Sequence, residues 1–238
     1  MGRGLVRSAT GAIGTGVLAA GLMACGPSES KQTPAGRGVP DPKPAASASA
    51  SASASASAGT GTAAGVKAVG SVGGEDTPCR LPVSFDLVQD WKPKAVTHAE
   101  DDRFASLFQQ GGMTLACEID AKPAGNIGFL RVWVADEPAA PGDARKVLEA
   151  FMAGEKAKGT PVYTDLKAGP AGAALPAVQA AYETDPLDEP KKESAFAAVT
   201  PGGEAVVVQL GGLDSGEHDE MLPAFRLAQQ SLKAANQR

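Results

Sequence analysis

The sequence predicts an α+β fold: an antiparallel sheet covered by helices, preceded by a signal peptide and a disordered linker. Three observations predict it. Seven short runs between Val83 and Leu210 have the period or length of strands. Two stripes of apolar residues at helical spacing, Val147 to Met152 and Met221 to Leu232, stand at separate points of the chain. The strands come in runs rather than alternating with helices, which is the order of an antiparallel sheet with helical cover.

The chain opens with a leader. Arg3 and Arg7 form a short positive region, and Ala12 to Ala24 is apolar or small and uncharged. That stretch falls short of the roughly 20 apolar residues a spanning helix needs, and it has the size of a signal-peptide core. It closes on Leu22-Met23-Ala24-Cys25. These four residues resemble the lipobox of bacterial lipoproteins, with Leu22 and Ala24 at the fitting places and Met23 bulkier than usual. The resemblance implies cleavage before Cys25, a diacylglyceryl group on its sulfur and an acylated, palmitate-type amine. No twin-arginine pair is present, so general secretion is the expected route.

Residues 25–76 read as a lipid-anchored linker of Pro, Gly, Ser, Ala and Thr, with a strict Ser-Ala alternation from Ser47 to Ala58. Side chains this small bury too little to offset chain entropy, so the segment is expected to be disordered. A run of ~50 such residues has a root-mean-square span on the order of 40 Å and reaches ~170 Å when stretched. It is the length of a tether that lifts a domain off a membrane into a cell wall.

Residues 77–238 then form one globular domain, and its elements follow in order. Val83 to Leu87 alternates and leads into Trp91; Thr114 to Ala121 is a strand. Asn126 to Ala135 is the strongest strand, with Phe129, Arg131 and Trp133 on one face and Leu130, Val132 and Val134 on the other. Both faces are largely apolar, so it is expected to be central and covered on both sides. Pro141-Gly142-Asp143 opens a helix with Asp143 as N-cap. Val162 to Leu166, Val178 to Glu183, Ser194 to Val199 and Ala205 to Leu210 are further strands, the last two joined through Pro201-Gly202-Gly203 as a hairpin. Asp214 caps the C-terminal helix, with Glu217 placed as in a capping box.

This succession of a strand into Trp91, a two-faced central strand, a mid-chain helix, a Gly-rich segment before Val178, and a last hairpin feeding a terminal helix resembles the PsbP-like α/β/α sandwich. That fold is found in actinobacterial lipoproteins of the LpqN type and in Streptomyces-like lipoproteins. The resemblance implies a non-catalytic accessory or interaction module and carries over no catalytic residue.

Cys79 and Cys117 remain as an even pair in an oxidising compartment and are expected to form a disulfide, the alternative being two buried thiols. Such a bridge stabilises by about 4 kcal/mol in chain-entropy terms. Removal of Arg3 and Arg7 with the leader takes the formal charge from −5 to −7. An acidic chain without a basic cluster is a poor partner for nucleic acid.

Chemistry-bearing residues are sparse. Of the two histidines, His98 precedes Glu100-Asp101-Asp102 and His218 sits at the start of the last helix, neither with a second His or Cys at metal-ligand spacing. The loop Asp185-Pro186-Leu187-Asp188-Glu189-Pro190 reads as solvated charge rather than a calcium loop. Ser215, His218 and Asp214 crowd one helical turn and cannot act as a triad. No catalytic residue, metal or cofactor is therefore assigned.

The residues expected to meet a ligand or partner are Arg131 and Trp133, on one face of the strongest strand, and Trp91, expected to be exposed between Asp90 and Lys92. A charged group among apolar neighbours must be paired or reach water. The expected function is a non-enzymatic binding or accessory module, held at the extracytoplasmic face of the cell membrane by its lipid and facing an envelope protein or small ligand. The alternative is a carrier or sensor of a small apolar ligand held between sheet and helix.

Cys25→Ala should block processing and leave full-length precursor, read by immunoblot of membrane and soluble fractions; cutting and membrane recovery equal to wild type would refute the anchor.

Overall fold

The computed structural model describes residues 66–97, 104–186 and 188–235. Cys25, His98 and the Glu100-Asp101-Asp102 cluster lie outside them. The strands are β1 (Ala68–Val72), β2 (Val83–Val88), β3 (Lys92–Ala95), β4 (Gln109–Gln110), β5 (Met113–Asp120), β6 (Gly128–Ala135), β7 (Lys158–Ala168), β8 (Leu175–Thr184), β9 (Lys191–Val199), β10 (Ala205–Gly212) and β11 (Lys233–Ala234). The helices are α1 (Ala144–Met152) and α2 (Ser215–Ser231). The fold is α+β, and every strand pairing is antiparallel.

The main sheet runs β3-β5-β6-β10-β9-β8-β7, with β4 added beside β5. A small sheet, β1-β2-β11, packs with α2 over one face. That face carries Leu130 and Val132 of β6, Val206, Val208 and Leu210 of β10, and Phe196 of β9, all closed off by Phe85, Met221 and Phe225. The other face carries Trp133, Val207, Ala195, Ala197 and Tyr182 and is covered by α1 through Leu148, Phe151 and Met152. The two helices differ in reach. At 1.5 Å per residue, the 17 residues of α2 extend about 25 Å and the 9 of α1 about 13 Å. Beyond the end of α1 the second face lies open.

β5 holds a bulge that its sequence alternation conceals. Its odd-numbered residues are all buried, yet the register shifts between Leu115 and Cys117. The extra residue turns the strand over. Met113 and Leu115 therefore pack under α1, whereas Cys117 and Ile119 pack on the α2 side. The switch brings Cys117 to Cys79, with Cα atoms 5.8 Å apart in a disulfide. It also aims Glu118 at the second face, opposite Arg131.

Three expectations need adjustment. The linker was expected to run to Asp76 and the domain to begin at residue 77, but Ala68–Val72 forms β1 against β2, with Val72 fully buried. Its composition resembles the linker, and only the pairing shows its role. Trp91 was expected to be exposed, but it is 6 % exposed and lies in the core on the α2 side. Asp90 takes a positive φ of 64° in the turn, and Trp91 N–H bonds the Val88 carbonyl, which folds the indole inward. Asp143 stands at the N-cap of α1 but makes no side-chain cap bond, whereas Asp214 accepts from Glu217 N–H at 2.9 Å. The Glu217 carboxylate takes Ile127 N–H at 3.0 Å, tying α2 to the turn before β6.

A fragment beginning at residue 77 should be less stable than one beginning at residue 66. Re-exposing Val72 and unpairing β2 should cost about 2–3 kcal/mol, read from urea midpoints; equal midpoints would put β1 outside the fold.

Candidate functional site

The open part of the second face becomes a cleft of about 420 Å³. Its floor is built from inward register positions of adjacent strands: Glu118 of β5, Arg131 and Trp133 of β6, Gln209 of β10 and Glu193 of β9. Its walls are Leu107, Phe108 and Gln110 on one side and Glu155, just beyond α1, on the other. A tight hairpin positions the first wall. Gly111 and Gly112, at φ of 59° and 75°, connect β4 to β5 as a two-residue turn with both φ positive. A side chain at Gly111 would begin 2.5 Å from the Ala150 carbonyl of α1. The hairpin thus presses on α1, and Gln110 Nε2 donates to the Phe151 carbonyl at 3.1 Å.

The polar groups are joined in one network. Trp133 Nε1 donates to Gln209 Oε1 at 3.3 Å, which fixes the orientation of that amide. Gln209 Nε2 then lies 2.9 Å from Glu155 Oε1 and 3.0 Å from the Tyr182 hydroxyl. Tyr182 donates to Glu193 Oε2 at 3.2 Å, Thr184 Oγ1 to Glu193 Oε1 at 3.2 Å, and Lys191 Nζ reaches the same oxygen at 2.7 Å. Gln110 Nε2 donates to Glu155 Oε1 at 2.7 Å. Arg131 Nε donates to Glu118 at 2.9 Å, with its guanidinium 5.2 Å from the Phe129 ring centre.

Electrostatics follow from burial. Desolvation raises the Glu155 pKa, opposed by the Gln110 amide and reinforced by the nearby Glu193 charge. Desolvation first, then the charges of Glu155 and Glu193, hold the Tyr182 phenol protonated well above its ordinary range. Tyr182 is thus a permanent donor here.

Arg131 and Trp133 do share the cleft, and Trp91 lies on the opposite side of the sheet. Sequence reasoning passed over Gln209, Glu155, Glu193 and Tyr182 as a group. A lone glutamine inside Ala205-Val206-Val207-Val208-Gln209-Leu210 was the available signal, because a buried amide needs partners.

The structure also brings together a serine, a histidine and an aspartate, though not the trio considered above. Ser194 Oγ lies 3.0 Å from His218 Nε2, and His218 Nδ1 lies 3.2 Å from Asp219 Oδ1. Asp219 also pairs with Lys192 at 2.7 Å, and this bond first, then His218, lowers its pKa. Ser194 is 3 % exposed on β9, a strand bonded to neighbours on both sides. Its backbone is committed to the sheet ladder on both sides, and Ser194 and His218 line a second cleft of about 350 Å³.

Beneath α1 the space is filled by Leu148, Phe151 and Trp133, the two rings meeting edge-on with centres 5.4 Å apart. Among the described residues no three His, Cys, Asp or Glu side chains converge as a metal site. No helix among them is long and apolar enough to cross a membrane.

The class of this protein is given by a family comparison: it is a lipoprotein. The particular family is Lipoprotein_23, described as uncharacterised lipoprotein: its model matches residues 47–232, and the chain belongs to it. No curated protein matches the chain.

Glu155→Gln keeps an acceptor for both amides and removes the charge. The wild-type carboxyl, with a raised folded pKa, costs stability as pH rises from its ordinary value of about 4.3 through the folded one. The variant should gain on wild type over that window and be neutral or stabilised at pH ~7, read from urea midpoints across pH; a gain on acidification instead would reverse the assignment.

Proposed function

We propose that the protein is a lipid-anchored, extracytoplasmic binding module. Cys25 carries the acyl groups, the linker lifts the head from the membrane, and the cleft beside α1 meets the ligand or partner. A single acyl chain holds a protein marginally and two or three hold it stably, so the anchor needs no charge on the acidic head. A PsbP-like sandwich of actinobacterial LpqN type remains the family resemblance that accords with this role.

The observation that carries the reading is the composition of the cleft. It gathers a guanidinium, three carboxylates, two amides and an indole from segments far apart in sequence. Open clefts with a few oriented polar groups are suited to holding a ligand in a fixed pose. The head acts by capture rather than turnover: the nucleophile nearest a base, Ser194, is 3 % exposed on a strand paired on both sides. The polar lining favours a hydrogen-bonding ligand over the apolar cargo of a carrier, since the apolar side chains beneath α1 already fill one another's space.

Arg131→Met tests the site. The Arg131–Glu118 pair is about one-third exposed on both partners, so its loss should cost at most about 1 kcal/mol. The variant should keep its thermal midpoint and lose capture of envelope components by the immobilised mature protein. Equal capture by both proteins would sink the site assignment, and turnover of an envelope polymer by the purified protein would sink the binding reading.

A further inference from the structure

Among the described residues, the charges of the cleft do not balance. Glu118 is paired with Arg131, and Glu193 with Lys191. Glu155 lies between these pairs and takes its two closest hydrogen bonds from neutral amides, both on Oε1. Among the described residues no lysine or arginine nitrogen comes within 4.0 Å of its carboxylate. A carboxylate held in place by amides, with no counter-charge among the described residues, is preorganised for an incoming cation, because the amides fix its direction without neutralising it. Burial already disfavours the ionised form, and a bound cation would restore it.

The remaining lining limits which cation. The absence of three convergent carboxylates among the described residues disfavours a bare metal ion, which takes six or more oxygen ligands as calcium. Two apolar groups stand in the otherwise polar cleft: Leu107 at its mouth, 69 % exposed, and the Trp133 ring in its floor. An exposed leucine at the entrance of a polar cleft gives an aliphatic chain something to cover. The volume of about 420 Å³ is within the range of small-molecule sites.

We propose that the cleft binds an organic cation: a primary ammonium on an unbranched aliphatic stem, as a lysine side chain presents it, with the ammonium on Glu155 and the stem along Leu107 and Trp133. This rests on the binding-module reading and names its ligand class. The ammonium offers three donors to the acceptors around Glu155, and Glu193 stands behind it as a second acceptor. Arg131 on the far side of the floor, held by Glu118, keeps the cation at the Glu155 end by repulsion.

Isothermal titration of the full mature protein with n-hexylammonium, 1-hexanol and hexanoate tests it. Hexylammonium should bind saturably and hexanol should not. Glu155→Gln should weaken hexylammonium by roughly tenfold or more without lowering the thermal midpoint. Leu107→Ala, at a position too exposed to matter for folding, should weaken hexylammonium and leave methylammonium unchanged. Affinity should fall as pH is lowered through the raised Glu155 pKa, because the protonated carboxyl no longer offers the ammonium a charge; Arg131, Lys191, Tyr182, Glu118 and Glu193 are the other charged or titratable groups beside it. Absence of saturable hexylammonium binding, equal binding of hexanol, or indifference to Glu155→Gln would each overturn the proposal. Saturable binding of hexanoate that depends on Arg131 and ignores Glu155 would overturn the ligand class and leave the binding module standing.

Discussion

The shortness of α1 is the constraint on which the rest of the second face depends. Nine residues cover Trp133, Val207 and Ala195 and stop. The same strands continue past that cover, and their next inward residues are Arg131, Gln209 and Glu193 rather than more Val and Ala. On the opposite face the longer α2 and the small sheet extend the cover, and the inward residues stay apolar to Leu130 and Leu210. One sheet therefore has one closed face and one half-open face, and the polar residues occupy the half that no helix closes.

Placing so many polar groups at the edge of a core is costly unless all are bonded. The network meets that condition by chaining donors and acceptors: Trp133 orients Gln209, Gln209 serves Glu155 and Tyr182, and Tyr182 serves Glu193. Each link fixes the orientation of the next side chain. Preorganisation of this kind reduces the ordering cost of binding. The disulfide contributes from the other side of the sheet. By holding Cys117 to Cys79 it holds the β5 bulge, and the bulge is what aims Glu118 at Arg131.

The Ser194–His218–Asp219 chain serves the packing of α2. A histidine at the start of that helix is buried against β9, and its two ring nitrogens are met by one partner from the sheet and one from its own helix. Lys192 completes the arrangement through Asp219. With Glu217 fastened to Ile127 and Ser215 to the backbone of Lys192 and Pro190, the first turn of α2 is bound to the sheet at several points. The distances resemble those of a catalytic triad, and the same bonds join the first turn of α2 to the sheet.

The sequence by itself determined what depends on neighbours along the chain. Strand and helix periods located β2, β5 to β10 and both helices, because burial of one face imposes a repeat that local composition records. Asp214 was legible as a cap because its partner is three residues away. Cysteine parity pointed to the bridge, and the leader ending at Cys25 pointed to a lipoprotein. β1 was not legible: Ala68-Val69-Gly70-Ser71-Val72 has linker composition, and only pairing with β2 makes it a strand. The inward turn of Trp91 depended on the backbone of Asp90. The cleft was hidden for a stronger reason. Glu118, Glu155, Glu193 and Gln209 lie on four separate elements, and their meeting depends on a one-residue bulge and on where α1 ends. Periodicity records which residues face inward; which inward residues are left uncovered is decided only when the helices are laid across the sheet.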